Sequence, residues 1–591
     1  MSRNDVGVIA AGAALLFMFM ASGTGCGGGG GSSAKPTPTP LSAFSICAPL
    51  GGSCDNPVTI AVGTSQQFQA KLTGTGTLPI LNWSVNGVQG GTAANGTISN
   101  TGLYTAPSAF PSGKDVTIAA ADQANASNNA SAISTIVDNT SGQTTPIKLG
   151  TSGGNSTDQV TIGTSTTCCS GTLGSLIQLG GNFYILSNNH ILAKSDNGTA
   201  TTSDPVTQPG LVDNNCNPGT VVAHFSQAAV LKPNPCSGVC SGPAPSNVDA
   251  AIAQIVVGMV DTSGNILDLG AVSGSNLAAA PPSINVAVPA TVLSTSEGIA
   301  KVGRATGLTC STLSSVSTTV GVNYAVNCGG ATAFTAMYTN QLVINGGSFS
   351  ASGDSGSLVV TADTARPVGL LYGGNNTSST ANPIQDVLNA FSGAVFVGGG
   401  DHAVQCTVVA NSAIITVPAS AEQTQHALAV RDKHYAELVN DPAVTAVTVG
   451  ASRDFPGEAV IVVHTNGVLM HSLPAQIEGV ATQAVYGGQT SFMLLASDLN
   501  RTIAVKEAHV ASLMQQPGVY GVGVGRSDDD PSATALVIYI EPGYVNGRAA
   551  IPAQIDGERV KIVEGDRFRA YNWGRETIPQ HSCAANTAKK K

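Results

Sequence analysis

Charged side chains are scarce and unevenly spread along this chain of 591 residues. Asp, Glu, Lys and Arg make up 10% of the residues, against about 25% in an average globular domain. Residues 1–404 contain a single glutamate, Glu297, and the whole chain contains 70 glycines. Few charges and many glycines predict strands joined by tight turns and a surface of the extracellular type.

The charge distribution also divides the chain. Residues 1–404 carry 27 charged side chains, whereas the shorter stretch 405–591 carries 33. The chain therefore has at least two compositionally different parts, and its length suggests three to five domains of about 100–200 residues. The net charge is −10, and Lys and Arg cluster only in the last three residues. This argues against nucleic acid as a partner.

The N-terminus has the pattern of an export signal. Arg3 precedes an apolar run over 6–21, and small residues then lead to Cys26. This resembles a bacterial lipoprotein signal, which implies a signal peptide over 1–26, a lipid on Cys26 and a place in the bacterial cell envelope, anchored by lipid at the outer surface or in the periplasm. The Gly/Pro-rich stretch 27–45 has little to pack and is predicted to be a linker.

Twelve cysteines favour an oxidising compartment. Their positions make three disulfides plausible: Cys47–Cys54, Cys310–Cys328 and Cys406–Cys583. A zinc site at Cys236 and Cys240, alone or with Cys216, is the alternative. No Cys-x-x-Cys pair or histidine lies near them, so we predict no metal.

Residues 46–139 show short alternating strands separated by Gly, Asn and Pro, which predict a small β-sandwich. Trp83 is the expected large core residue. Its surrounding Trp-x-Val-Asn-Gly run, with Gly-Leu-Tyr-Thr-Ala-Pro at 102–107, resembles bacterial immunoglobulin-like surface domains. The resemblance implies a spacer or an adhesive role.

Residues 145–400 contain the candidate catalytic side chains. A strand pattern over 171–179, a turn at 180–182 and a second strand at 183–186 predict a hairpin that ends near His190. Ser355 lies much later in the run Gly-Asp-Ser-Gly-Ser. Glycines permit the tight backbone that exposes a hydroxyl and directs N–H groups to one point. Such a serine needs a base, which His190 supplies, and a group that orients the base. Asp249, at the start of an apolar strand, fits the second task.

This segment resembles the trypsin/chymotrypsin-like serine peptidases in its Gly-Asp-Ser-Gly motif and in the chain order His, Asp, Ser. The resemblance implies a double β-barrel, with the second barrel beginning near 302–307. It also implies that Ser355 is the nucleophile, that His190 is the general base and then acid, and that Asp249 orients His190. The backbone N–H groups of Gly353 and Ser355 would form the oxyanion hole, and no metal or organic cofactor is implied.

Some residues depart from the family pattern. Asn188 and Asn189 replace small residues before the histidine, and Ser357 replaces a common glycine. Phe349 lies six residues before Ser355, where tryptic members carry an aspartate, which favours cleavage after nonbasic residues.

Other residues compete for two of the catalytic roles. His224 is an alternative base, but no matching hairpin precedes it. Asp204 and Asp213 are alternative orienting groups, but both lie in polar loop sequence. We therefore assign the roles to His190 and Asp249.

The last part of the chain repeats at a spacing of 75 residues, which predicts two small α+β units over 405–498 and 499–575, followed by a tail over 576–591. Each unit is expected to run helix, strand, strand and short strand. The run Gly521-x-Gly523-x-Gly525 superficially suggests a phosphate loop, but it lies within a strand pattern and no helix follows it. His434 and His509 occupy equivalent positions, which the repeat itself explains.

Together these features predict a multidomain, mainly β protein that is an exported serine endopeptidase acting on proteins or peptides. Two alternatives stay open. One is a cell-surface adhesion or scaffold protein with an inactive peptidase-like barrel, and the other is an esterase that uses the same three residues. The oligomeric state is left open.

Overall fold

The structure is a computed structural model of mainly β architecture, with 46% strand and 13% helix among the described residues. The predicted signal peptide with Cys26, most of the linker and most of the tail lie outside the described residues. Among the described helices, none is both long and apolar enough to cross a membrane. The described residues are 44–47, 58–62, 65–72, 77–107, 115–137, 139–162, 165–195, 199–234, 247–273, 276–325, 328, 332–406, 419–467, 469, 472–486, 492–544, 551–570 and 573–577.

The first region contains short strands around one apolar core. Trp83 of β5 lies in that core with Ile118 of β10 and Tyr104 of β9, which belong to two different sheets, and with Phe68, which lies between β3 and β4. The sheet orders are β2-β11-β10-β5-β6 and β3-β9-β8-β7, and β1 pairs with β4. The strands are β1 (Phe44–Cys47), β2 (Val58–Ala61), β3 (Ser65–Gln67), β4 (Gln69–Leu72), β5 (Leu81–Val85), β6 (Val88–Gln89), β7 (Gly91–Thr92), β8 (Gly96–Ile98), β9 (Leu103–Thr105), β10 (Asp115–Asp122) and β11 (Asn129–Val137).

The next region is a curved antiparallel sheet that contains the predicted hairpin. Gly180 and Gly181 both have positive φ, 57° and 81°, as a tight two-residue hairpin turn requires. The sheet order is β13-β14-β12-β17-β18-β19-β16-β15-β28. Its elements are β12 (Thr151–Asn155), β13 (Gln159–Ile162), β14 (Ser165–Leu173), β15 (Ser175–Leu179), β16 (Asn182–Ser187), α1 (Asn189–Leu192), β17 (Pro205–Gln208), a 3-10 helix (Leu211–Asn214), β18 (Thr220–Ala228) and β19 (Ala251–Ile255).

A second sheet closes on itself. Its order is β22-β25-β26-β27-β24-β23, and β22 also pairs with β23, so these six strands form a barrel. The elements are β20 (Val272–Ser273), β21 (Asn276–Leu277), α2 (Pro289–Thr295), β22 (Gly298–Gly303), β23 (Gly307–Ala325), β24 (Thr332–Asn345), β25 (Leu358–Thr361), β26 (Pro367–Gly374), β27 (Ser378–Pro383), α3 (Ile384–Ala390) and β28 (Val395–Phe396).

The C-terminal region contains two units with the same order of elements, here named the first repeat (421–486) and the second repeat (496–564). Because α5 begins at Ala496, the second unit starts slightly before the predicted boundary at 499. The elements are α4 (Ala421–Leu438), β29 (Val444–Ala451), β30 (Ala459–Thr465), β31 (Gln476–Ile477), β32 (Val480–Tyr486), α5 (Ala496–Leu513), β33 (Val519–Arg526), β34 (Thr534–Ile540), β35 (Gln554–Ile555) and β36 (Glu558–Glu564), followed by β37 (Arg569–Ala570) and β38 (Trp573–Thr577).

The two repeats bind each other through a reciprocal exchange of hydrogen bonds. Ser452 Oγ donates to Asp529 Oδ2, and Ser527 Oγ, in the equivalent position, donates to Asp454 Oδ2, each at 2.5 Å. Each aspartate also accepts a backbone N–H from the loop of the other repeat. Both carboxyls are buried, so this exchange satisfies polar groups that would otherwise destabilise the interface.

The disulfides correct two of the predicted pairings. The bonds in which both cysteines are described are Cys168–Cys216, Cys169–Cys328 and Cys310–Cys406. Cys310 lies near the start of β23, and Cys328 follows the far end of that 19-residue strand, so the predicted Cys310–Cys328 bond is wrong. Cys406–Cys583 is wrong because Cys406 is bonded to Cys310. Cys47 is disulfide-bonded, but its expected partner Cys54 lies outside the described residues, so that pairing stays a prediction.

Candidate active site

His190 and Asp249 are brought together by the pairing of two strands. Strands β16 and β19 run antiparallel with Ser187 opposite Ala251. The short helix α1 begins directly after β16 and carries His190, while Asp249 lies two residues before β19. The distance between His190 Nδ1 and Asp249 Oδ2 is 2.6 Å, and both side chains are buried. A buried carboxylate in this position fixes the orientation of the imidazole.

The Asp249 carboxylate is hydrogen-bonded through both oxygens. Oδ1 accepts the backbone N–H of Asn189 at 2.7 Å. Oδ2, which contacts His190, also accepts the hydroxyl of Tyr324 at 2.7 Å. Burial and the charge of Asp249 raise the pKa of Tyr324 well above its usual value. The hydroxyl therefore stays protonated and remains a donor across the physiological pH range.

Asn188 and Asn189, the departures from the family pattern, have structural roles. Asn188 Nδ2 donates to the backbone oxygen of Asp249, and Asn189 Nδ2 donates to that of Ala229, each at 2.7 Å. Both amides thus join α1 to neighbouring backbone. Sequence reasoning did not identify Tyr324, because it lies in an alternating strand like any core tyrosine.

Ser355 lies in a turn that only glycines permit. Gly353 and Gly356 have φ of 103° and 95°, in the region that side chains with a Cβ rarely adopt. A Cβ at Gly356 would also lie 2.1 Å from Ser187 Oγ and 2.3 Å from Thr172 O. The close approach to Ser187 holds the serine turn against the hairpin that carries His190.

The Ser355 hydroxyl donates to the backbone oxygen of Tyr372 at 3.0 Å. His190 Nε2 is buried and has no hydrogen-bond partner in the part of the chain that the structure describes. The structure therefore joins His190 to Asp249 by a hydrogen bond but does not join Ser355 to His190.

The backbone N–H groups of Gly353 and Ser355 are the predicted oxyanion donors, and the N–H groups that follow each of them in the chain are hydrogen-bonded within the protein. The N–H of Asp354 donates to Ala351 O and that of Gly356 to Leu371 O. By contrast, the N–H groups of Gly353 and Ser355 donate to no acceptor among the described residues. Two N–H groups of one turn are thus left to bind an oxygen.

Asp354 stabilises this turn from behind. Its Oδ2 lies 3.2 Å from the buried ammonium of Lys301 and accepts the Thr306 hydroxyl at 2.7 Å. Its Oδ1 accepts the N–H of Ala305 at 2.7 Å. The ring of Phe349 packs over the same ammonium, 5.8 Å from ring centroid to Nζ. The buried charges are therefore paired, as charges in a low-dielectric interior must be.

The rival residues are bound elsewhere. His224 Nδ1 lies 3.0 Å from Ser203 O on the exposed side of β18. Asp213 forms a bidentate ion pair with Arg304, at 2.5 and 2.6 Å. Asp204 accepts the Thr201 hydroxyl at 2.5 Å.

The described residues contain one group of three potential metal ligands, namely Asp158, Cys169 and Cys328. Its two sulfurs are bonded to each other, so the thiolates that a metal would need are not present. Cys216 is likewise in a disulfide, and its possible zinc partners Cys236 and Cys240 lie outside the described residues.

Comparison with protein-family models gives no match, and comparison with curated proteins gives none. Among solved structures, the chain is similar to a glutamic acid specific serine protease that uses a histidine triad in substrate binding. That similarity has 18% identity and a TM-score of 0.26, and covers 42% of this chain and 100% of the other. The chain is also similar to alpha-lytic protease homolog N4, with 16% identity, a TM-score of 0.21, and 38% and 92% coverage. At these scores neither similarity carries an argument, and the function rests on the contacts of the site.

Proposed function

We propose that the chain is an exported serine endopeptidase that cuts peptide bonds through an acyl-enzyme on Ser355. The supporting observation is the buried His190–Asp249 pair beside the Ser355 turn. In this pair, His190 Nε2 is bound to no other described residue. A peptidase of this kind needs a base whose outer nitrogen is free for the serine proton.

In the proposed reaction, Ser355 Oγ turns from Tyr372 O toward His190 Nε2 and attacks the scissile carbonyl carbon while the imidazole takes its proton. The N–H groups of Gly353 and Ser355 bind the oxyanion that forms. The imidazolium, stabilised by Asp249, then gives the proton to the leaving amine. In the second half of the reaction, His190 takes a proton from water, the water oxygen attacks the acyl-enzyme ester, and His190 returns the proton to Ser355 Oγ. All of these steps use side chains and backbone groups of the chain.

The remaining regions fit an exported enzyme of this type. A lipid on Cys26 would attach the chain to the membrane surface, and the immunoglobulin-like sandwich would separate the catalytic region from it. Disulfides among the described residues are compatible with an extracellular location.

An inactive adhesion or scaffold protein is the second candidate. The observation that favours it is the hydrogen bond of Ser355 Oγ to Tyr372 O instead of to His190. An esterase would use the same three residues and is separated from a peptidase by comparing kcat/KM on ester and peptide panels.

Labelling with a fluorophosphonate probe tests the proposed nucleophile. We expect covalent labelling at Ser355, located by peptide mapping, and no labelling of Ser355→Ala. Hydrolysis by that variant should fall by about 10⁴-fold or more. Ser263→Ala is the matched control, since Ser263 is exposed and far from the turn in sequence. Equal labelling of Ser355→Ala and wild type would contradict the proposal.

A further inference from the structure

Two short strands near the C-terminus pair with sheet edges on either side of Ser355. On one side, β37 runs antiparallel to β26, with Ala570 opposite Gly373 and Arg569 opposite Gly374. Gly373 directly follows Tyr372, whose oxygen accepts the Ser355 hydroxyl. An extended backbone therefore lies along the strand that adjoins the proposed nucleophile.

On the other side, β38 runs antiparallel to β14, with Trp573 opposite Ser170. Thr172, two residues further along β14, donates its N–H to the backbone oxygen of Ser355 at 2.8 Å. Only two residues separate Ala570 from Trp573, so their Cα atoms are at most about 11 Å apart. The two strands thus pair with the barrel on one side of Ser355 and with the sheet that carries the His190 hairpin on the other.

The second repeat holds this segment in place. Phe568 is fully buried and packs against Tyr520 and Tyr539, with ring centroids 5.4 and 5.9 Å away. Asn375 Nδ2 donates to the backbone oxygen of Asp566. These contacts come from both the repeat and the barrel, so they fix where the following strand lies.

We propose that residues 565–570 and 573–577, named the strap, act as an intramolecular inhibitor of the peptidase. An extended peptide binds a sheet edge through main-chain hydrogen bonds. Both edges beside Ser355 are already paired with the strap, so a peptide substrate must displace it. This inference rests on the proposed function and assigns a role to the second repeat, which presents the strap to the barrel.

The substitution Arg569→Pro tests the strap. Proline has no N–H for the strand partner, and the Arg569 side chain is exposed, so little else changes. We expect kcat/KM on an extended peptide to rise about tenfold or more as the edge pairing is lost. A small ester and the fluorophosphonate probe need no sheet edge and should gain less. Arg569→Ala keeps the backbone N–H and should retain wild-type rates.

Two further measurements test the strap without relying on Arg569→Pro alone. Phe568→Ala removes the aromatic contact and should raise the rates in the same direction. A synthetic peptide of residues 565–577, added to Arg569→Pro, should slow hydrolysis of the extended peptide toward the wild-type rate. Equal kcat/KM on the extended peptide in wild type and all three variants would overturn the inhibitor, and labelling of Ser355 in each of them would leave the proposed function standing. Labelling in none of them would overturn both.

Discussion

The two C-terminal repeats have the same order of elements, but their first strands face different surroundings. Strand β29 of the first repeat lies at the end of a four-stranded sheet and is largely half-exposed. The matching strand β33 of the second repeat is buried along almost its whole length because it pairs with β23 of the barrel. The first repeat thus leaves β29 partly exposed, whereas the second repeat uses the equivalent strand β33 to bind the barrel.

Four of the eight positions differ between these strands, and two of the four are glycine only in the second repeat. Ala446 and Thr448 of the first repeat correspond to Gly521 and Gly523 of the second at the spacing of 75 residues. A Cβ at Gly523 would lie 2.3 Å from Thr318 Oγ1, closer than nonbonded atoms approach. The glycines that resemble a phosphate loop therefore allow one strand to pack closely on another. The second repeat thus lacks, at these two positions, the side chains that would separate β33 from β23.

The largest effect is expected when the first-repeat residue is placed in the docking strand. Gly523→Thr puts a β-branched side chain where no space exists, so we expect β33 to separate from β23. The free energy of unfolding should fall by about 3 kcal/mol, as for overpacked cores, and should be measured by urea denaturation. The reverse change, Thr448→Gly, should cost no more than about 1 kcal/mol. Equal losses would show that the glycines do not distinguish the repeats.

A smaller effect is expected from the aspartates that the repeats exchange. Burial raises the pKa of Asp454 to about 7, with further contributions from the charges of Asp529 and Asp528 and an opposing one from Lys561. Burial also raises the pKa of Asp529, against an opposing effect of Arg559. Because the folded state holds these protons more tightly than an unfolded chain, whose aspartates titrate near about 4, their stabilisation is present at acid pH. It is lost as the pH rises through about 7.

We therefore predict that the free energy of unfolding falls by about 2 kcal/mol between about pH 5 and pH 7.5, in urea titrations across that range. Asp454→Asn resembles the protonated acid and should flatten this dependence. Asp432→Asn, at an exposed position, should leave it unchanged. A pH profile in which Asp454→Asn and wild type coincide would contradict the assignment.

The smallest effect is expected from the paired helix histidines. His434 lies 3.0 Å from Glu478, and His509 lies 2.7 Å from Asp556 at the equivalent position. Glu478 raises the pKa of His434. Any stabilisation by this pair is therefore present below the usual pKa of histidine and disappears at higher pH. Since the His434–Glu478 pair is exposed, Glu478→Ala should shift the urea midpoint only slightly at pH 6 and not at pH 8. A loss in the free energy of unfolding as large as that of Gly523→Thr would contradict the prediction that this pair contributes little.

Local sequence patterns are sufficient to predict two parts of the site, the hairpin before His190 and the turn of Ser355. The hairpin that precedes His190 is predictable, because Gly180 and Gly181 form its turn. The turn of Ser355 is predictable from its flanking glycines for the same reason. The approach of His190 to Asp249 is not a local property, since it depends on the pairing of β16 with β19 across about sixty residues of sequence. There the chain order shared with a known family supplied the expectation.

Long-range features could not be predicted from the sequence. Cysteine positions gave Cys310–Cys328, because nothing in the sequence shows that β23 extends over nineteen residues between them. The sequence assigned the strap to the second repeat and the tail, although β37 pairs with the barrel and β38 pairs with β14 of the other sheet. Strand pairing uses backbone atoms, which every residue has, so the side-chain pattern does not identify the partner.

The strap and the edges it covers belong to a single polymer. For two separate molecules, dilution into a large volume would break such a pairing, whereas a tethered partner keeps an effective concentration of the order of millimolar. Under the proposed inhibition, release into the surroundings does not by itself expose the two edges. They open only when a competing peptide displaces the strap.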